Sequence, residues 1–234
     1  RSWATNEAVS DMLLQRAPVS LTVMGQVWLL GGSISILLAM WVAYYRGTLT
    51  DRAVMAICTA SMSISLLLYI VVGQFLFGYK LGWFPVMGWS DSLWTNLTWF
   101  SPLPVFLMLL VSVPFSTRLY RSFIVAETAH DYARTARAKG ASERRVMMVH
   151  VLRNAAIPIV TDLAMSLPAL FIGSFLIERI FSIPGLGREV ISAVDRSDFP
   201  VIKAITIYLA MLTMLVNLLV DLLYKWLDPR VQLK

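Results

Sequence analysis

Cysteine is almost missing from this chain: Cys58 is the only one in 234 residues, and it sits inside an apolar run. One thiol can build neither a disulfide framework nor a thiolate cluster. Histidine is scarce too. His130 and His150 are too far apart to be an i, i+4 metal pair, so two surface histidines account for them and no metal site is expected. Charged residues make up 15% of the chain, too few for an ordinary soluble domain of this length. No G-x-x-x-x-G-K-[ST] run occurs, so the chain has no loop for nucleotide phosphates; H-E-x-x-H and G-x-S-x-G are also missing. No catalytic residue is therefore assigned. The start lacks the basic, apolar, small-residue order of a signal peptide. Arg1 is not an initiator, and the chain reads as a fragment whose N-terminal span is missing.

What is abundant is apolar surface. Hydrophobic residues make up 58% of the sequence, with mean hydropathy +0.69, and a bilayer is the natural solvent for such a chain. Crossing about 30 Å of hydrocarbon takes roughly 20 helical residues. Five stretches suffice: Leu21–Ala43, Ala53–Phe77, Leu97–Phe115, Ala155–Ile177 and Val201–Leu223. Each is expected to be helical, because lipid offers no partners for backbone polar groups. Pro102, Pro104 and Pro114 are expected to kink the third, and Pro158 and Pro168 the fourth. The fold class is thus all-α, a polytopic transmembrane helical bundle with five spans.

Basic residues then orient it. Arg46, Arg52, the eight basic residues between Arg118 and Arg153, and Lys225, Arg230 and Lys234 fall on one side. That side is expected to be cytoplasmic, leaving the N-terminus outside and the C-terminus inside. An outside start agrees with a further span before Arg1. Trp83, Trp89, Trp94 and Trp99 flank an outer boundary as interfacial aromatics.

The loop 118–153 carries most of the interest. Ala129–Lys139 is rich in helix formers, Gly140 suits a C-terminal cap, and Ser142 suits an N-cap with Glu143 in the first turn. The loop reads as helix, glycine turn, helix, lying against the membrane surface. Ala133, Ala136 and Ala138 make the first helix slim enough for a groove on another protein, with Arg134, Arg137 and Lys139 meeting an acidic rim. A plain lipid anchor would use the same charges, at about 1 kcal/mol each. Nucleic acid is not expected, since interleaved aromatics are missing.

These residues resemble a family. The loop is similar to the cytoplasmic signature of binding-protein-dependent ABC importer permeases: E-A-A, three residues, G, nine residues, I-x-L-P. Counted from Gly140, the E-A-A positions are Arg134, Thr135 and Ala136, and the I-x-L-P positions are His150, Val151, Leu152 and Arg153. Ala136, Gly140 and Leu152 match that general pattern. The run D-Y-A-R-T-A-R-A-K-G-A-S-E-R-R, Asp131 to Arg145, is much closer to the dipeptide, oligopeptide and nickel branch, as is H-V-L-R-N-A-A-I-P, His150 to Pro158. Glu178-Arg-Ile-Phe181-Ser-Ile-Pro184-Gly-Leu-Gly187 resembles that branch's outer E-x-I-F-x-x-P-G-L-G segment. Asp198-Phe199-Pro200 resembles its D-Y-P, and Leu227-Asp-Pro-Arg230 its ending.

The resemblance implies a type I ABC importer permease domain over 1–234, with a cytoplasmic coupling loop at 118–153 and an extracytoplasmic loop at 178–200. It implies ATPase coupling through Asp131, Tyr132, Arg134, Thr135, Ala136, Arg137, Lys139 and Gly140. It also implies an outer gate or binding-protein contact at Glu178, Phe181, Pro184, Gly185 and Gly187. Expected partners are a second homologous permease, two ATP-binding subunits, an extracytoplasmic solute-binding protein and membrane lipid. ATP and magnesium would be bound by the ATPases, with no cofactor in this chain. The location implied is the inner, cytoplasmic membrane of a bacterium or archaeon. The resemblance implies a translocation path for di- or oligopeptides, with nickel or another small solute as the alternatives. Asp162, an acid within a span, leaves a proton-coupled secondary transporter as the alternative.

Overall fold

The computed structural model describes residues 1–227, with residues 171, 172, 221 and 223–227 described by backbone alone. The Asp228–Arg230 part of the C-terminal motif and Lys234 lie outside the described residues. Every regular element among them is a helix. They are α1 (Val9–Tyr44), α2 (Leu49–Met62), α3 (Leu66–Gly73), α4 (Leu93–Thr95), α5 (Pro102–Glu127), α6 (Asp131–Ala138), α7 (Glu143–Arg145), α8 (Leu152–Met165), α9 (Leu167–Ile172), α10 (Phe175–Ile180), α11 (Leu186–Asp195) and α12 (Phe199–Leu227). Widened π-turns follow α3 over Gln74–Lys80, α4 over Asn96–Phe100 and α7 over Val146–Val151.

Among the described residues four helical runs are long and apolar enough to cross a membrane, and a fifth crossing results if α2 and α3 form one broken span. The second predicted span is therefore not one continuous helix. Hydroxyls cluster at its break, Ser63–Ser65. Thr59 Oγ1 donates to the Met55 carbonyl at 2.8 Å and Ser63 Oγ to the Thr59 carbonyl at 3.0 Å. The same bonds at Thr161, Thr206 and Thr213 leave α8 and α12 continuous, so back-bonding alone does not set the break.

The prolines also act differently from expectation. Pro102 occupies the first position of α5 and Pro104 its first turn, where their missing N–H groups have no intrahelical partner anyway. They start the helix instead of kinking it. Pro168 likewise opens α9 after the chain turns at Ser166, dividing the fourth span there. Pro114 and Pro158 do lie inside helices.

The chain divides into two compact units. One comprises Leu29–Leu66 and Met108–Leu163. Its core joins Ala39, Met40 and Ala43 of α1 to Tyr120 and Ile124 of α5, and to Ala133, Ala136, Val146, Met147 and Val151. The buried carboxylate of Asp51 takes two bonds from Arg121, at 2.8 and 2.7 Å, tying α2 to α5. The other unit comprises Arg1–Trp28, Leu67–Leu107 and the chain from Ala164 onward. In it Met12, Ala193, Val201 and Ile205 form one cluster, and Ala164, Val216 and Val220 another.

Candidate functional site

Two motif-bearing segments stand out, one in each unit. In the first, α6 ends in a complete Schellman motif. Gly140 takes φ +81°, its N–H donates to the Arg137 carbonyl at 2.9 Å, and the Ala141 N–H reaches the Ala136 carbonyl at 3.1 Å. Ser142 occupies the N-cap position of α7 without making a side-chain cap bond. Glu143 instead reaches across the glycine turn, accepting from Arg137 Nε at 2.9 Å and from Nη2 at 2.8 Å. That fork also raises the pKa of the Arg137 guanidinium. Arg137 Nη1 donates to the Thr128 carbonyl at 3.3 Å, so one side chain clamps both ends of α6.

Tyr132 donates its phenol to Glu127, and burial together with this bond pushes the phenol up to about 12. The His130 ring stacks on Tyr132 with centroids 5.9 Å apart. Arg134 pairs with Asp131 at 3.8 Å.

Ala133 and Ala136 face the body of their own unit, at 0% and 9% exposure. Ala136 was expected to lie against a groove on another protein; its side chain instead packs in the core with Val146 and Met147. The exposed row of α6 is Asp131, Arg134, Thr135, Ala138 and Lys139. Ala133 and Ala136 thus serve close seating on their own protein, while Ala138, the third of the small residues, stays on the exposed row.

The second segment is built around Glu178, 1% exposed in α10. Ser20 Oγ of α1 donates to its Oε1 at 2.7 Å, and the Arg188 N–H donates to its Oε2 at 3.1 Å. Ser20 Oγ also accepts the Leu186 N–H at 2.8 Å. A Cβ on Gly173 or Gly185 would overlap the Glu178 carboxylate, and one on Gly187 would lie 3.0 Å from it. Only glycine lets the backbone close on the acid there. The P-G-L-G run is thus a backbone cradle for the motif's own glutamate.

Phe181 is buried at 2% exposure and its carbonyl accepts the Gly88 N–H at 3.0 Å. The Pro184 carbonyl accepts from Arg16 at 3.3 Å, and Arg16 also pairs with Glu189 at 3.7 Å. Arg188 donates to the Ser182 carbonyl at 2.8 Å. Beyond α11, Asp198 accepts from Ser2 Oγ and from the backbone N–H groups of Trp3 and Ala4, at 3.1 and 3.2 Å. Burial works against its charge, yet those bonds and the Val201 N–H outweigh it and hold the carboxyl below its ordinary value.

Ser20, Arg16 and Gly173 belong to these arrangements and were not singled out by motif; Glu143 was, but as a helix-start acid and not as the partner of Arg137. Ser20 lies 158 residues from Glu178, and nothing local in the sequence marks the pairing. Asp162, in α8, accepts from the buried phenol of Tyr120 at 2.9 Å.

Described residues whose regular elements are all helices, with four or five candidate spans among them, define a multi-pass membrane protein. Residues 35–233 match the family described as binding-protein-dependent transport system inner membrane component, and the chain belongs to it. The di/tripeptide transport system permease protein DppB of Pseudomonas aeruginosa is 34% identical over 253 residues, covering 99% of this chain and 75% of that protein. The glutathione transport system permease protein GsiC of Salmonella choleraesuis is 35% identical over 237 residues, covering 100% of this chain and 74% of that one. Among solved structures, the crystal structure of an amino acid ABC transporter with histidines aligns at TM-score 0.64 and 15% identity, over 92% of this chain and 94% of that one. That likeness concerns the fold. The chain is a multi-pass inner-membrane permease component, as the sequence resemblance implied.

Proposed function

We propose that this chain is one of two homologous permease subunits lining the path of an ATP-driven peptide importer. The peptide assignment is supported by the names of its relatives, which transport di- and tripeptides or glutathione. ATP and magnesium bind to two separate ATP-binding subunits, and an extracytoplasmic binding protein delivers the solute. The loop 118–153 faces the cytoplasm and the segment 178–200 faces outward.

The observation that carries the coupling reading is the construction of α6. It is held rigidly from behind by Ala133, Ala136 and the Arg137 clamp, and it presents Asp131, Arg134, Thr135, Ala138 and Lys139 outward. A short helix fixed on one face and free on the other transmits a push without absorbing it. Closure of the ATPases drives the permeases outward-facing only if they bind the two states with different free energy.

The test is uptake of a labelled dipeptide into proteoliposomes holding this chain, its second permease, the ATPases and the binding protein. Uptake should require ATP, and Thr135→Trp on the exposed row should abolish both uptake and ATPase co-purification. Uptake that follows a proton gradient without ATP would overturn the proposal.

A further inference from the structure

A groove of ≈390 Å³ lies beside the C-terminal end of α1. Pockets for small ligands span roughly 300–1,000 Å³. Its floor is Met40 and Met147, buried at 8% and 2% exposure. Leu37, Trp41, Tyr44, Tyr45 and Met148 wall it, and all five are substantially exposed. Tyr45 stacks edge-on against both Trp41 and Tyr44, with centroids 5.9 and 5.1 Å apart, which stiffens the aromatic wall. The polar member is Arg144.

Arg144, like Arg145 and Arg153, lacks the acidic partner that other arginines of its unit have among the described residues, but it alone of these lines the groove. Arg121 sits on Asp51, Arg134 on Asp131 and Arg137 on Glu143. Among the described residues Arg144 has neither an ion pair nor a hydrogen bond, and it lies against apolar and aromatic groups instead. Its guanidinium is exposed at the groove, open to an anion from outside the chain, and its planar fork suits phosphate. The apolar part calls for hydrocarbon. Trp and Tyr at the end of a membrane-length helix mark the headgroup level, where hydrocarbon and phosphate meet.

From this we infer that the groove binds one anionic phospholipid, with an acyl chain along Leu37, Met40 and Met148 and its phosphate on Arg144. The site is independent of peptide transport and of α6 docking. Its consequence is local: a lipid seated there touches Met147, which packs in the same core as Ala133 and Ala136.

The test counts phospholipids retained by the purified transporter complex, by native mass spectrometry, after titration with phosphatidylglycerol or phosphatidylcholine. Wild type should keep a tightly held phosphatidylglycerol. Arg144→Ala should bind it roughly fivefold more weakly, the effect of one basic group near an anionic surface. Arg145→Ala, which removes an adjacent exposed charge outside the groove, should match wild type. Met148→Trp, which fills the groove, should lose the bound lipid while the complex stays assembled on size exclusion. Equal weakening in the two arginine variants would overturn the site in favour of general surface attraction. Unchanged retention in Met148→Trp would overturn it as well, because the groove would then be empty or covered by another subunit.

Discussion

Ser20 and Glu178 meet at 2.7 Å, and the same hydroxyl accepts the Leu186 N–H at 2.8 Å, so one serine joins α1 to the backbone cradle around the acid. Removing the acid strands its donors. Glu178→Ala should destabilise this segment by about 1–3 kcal/mol, the usual cost of buried unsatisfied groups, with Glu178→Gln in between because its carbonyl still accepts. Limited trypsin digestion should cut faster after Arg179 and Arg188 in Glu178→Ala. Digestion at the wild-type rate would contradict the cradle.

Two glycines should fail for different reasons. Gly140 has φ +81° and open space around a would-be Cβ, so Gly140→Ala costs about 1 kcal/mol of backbone strain and Gly140→Asn less. At Gly185 a Cβ would overlap Glu178 and Ser20, so Ala and Asn should be equally harmful there. Thermal midpoints of the purified complex separate the cases: rescue by Asn at 140 and none at 185.

The Arg121–Asp51 pair offers a double-mutant test. Arg121→Ala leaves the Asp51 carboxylate without its countercharge, with the Gly47 N–H still donating at 2.9 Å, and should cost about 1–3 kcal/mol. Arg121→Leu with Asp51→Leu removes both charges and should recover most of that loss. A double variant as unstable as the sum of the singles would show that the ion pair is not what couples the two positions.

Asp198 gives a pH dependence. Its folded pKa lies below the unfolded value of about 3.9, so its stabilisation is present above that value and is lost as pH falls through the folded one. The Trp3 and Ala4 amides should be protected from hydrogen exchange at pH 7 in wild type and exposed in Asp198→Ala, which keeps no acceptor. The difference should shrink below about pH 4. Equal protection of the two proteins at pH 7 would refute the tie.

Orientation can be read by labelling. With Cys58 replaced by serine, a cysteine at exposed Ser142 should react only from the cytoplasmic side, and one at exposed Val194 only from outside. Labelling of both from one side would mean that the run between them does not cross.

The sequence by itself determined the class of this protein. Apolar runs of membrane length, the glycine cap at Gly140 and the spaced blocks from Asp131 to Pro200 rest on composition and local order, which need no tertiary contact to be read. It also led to the family later matched over residues 35–233. Only the tertiary structure decided what those residues touch. Ala136 could not be told from a residue facing a partner, because a small side chain on a helix fits a close contact on either face. The break within the second span falls inside one apolar run, and hydropathy does not register where such a run bends. The role of the P-G-L-G run required Ser20 and Gly173 to be brought to Glu178, and burial of an acid decides its surroundings only once distant segments have packed around it.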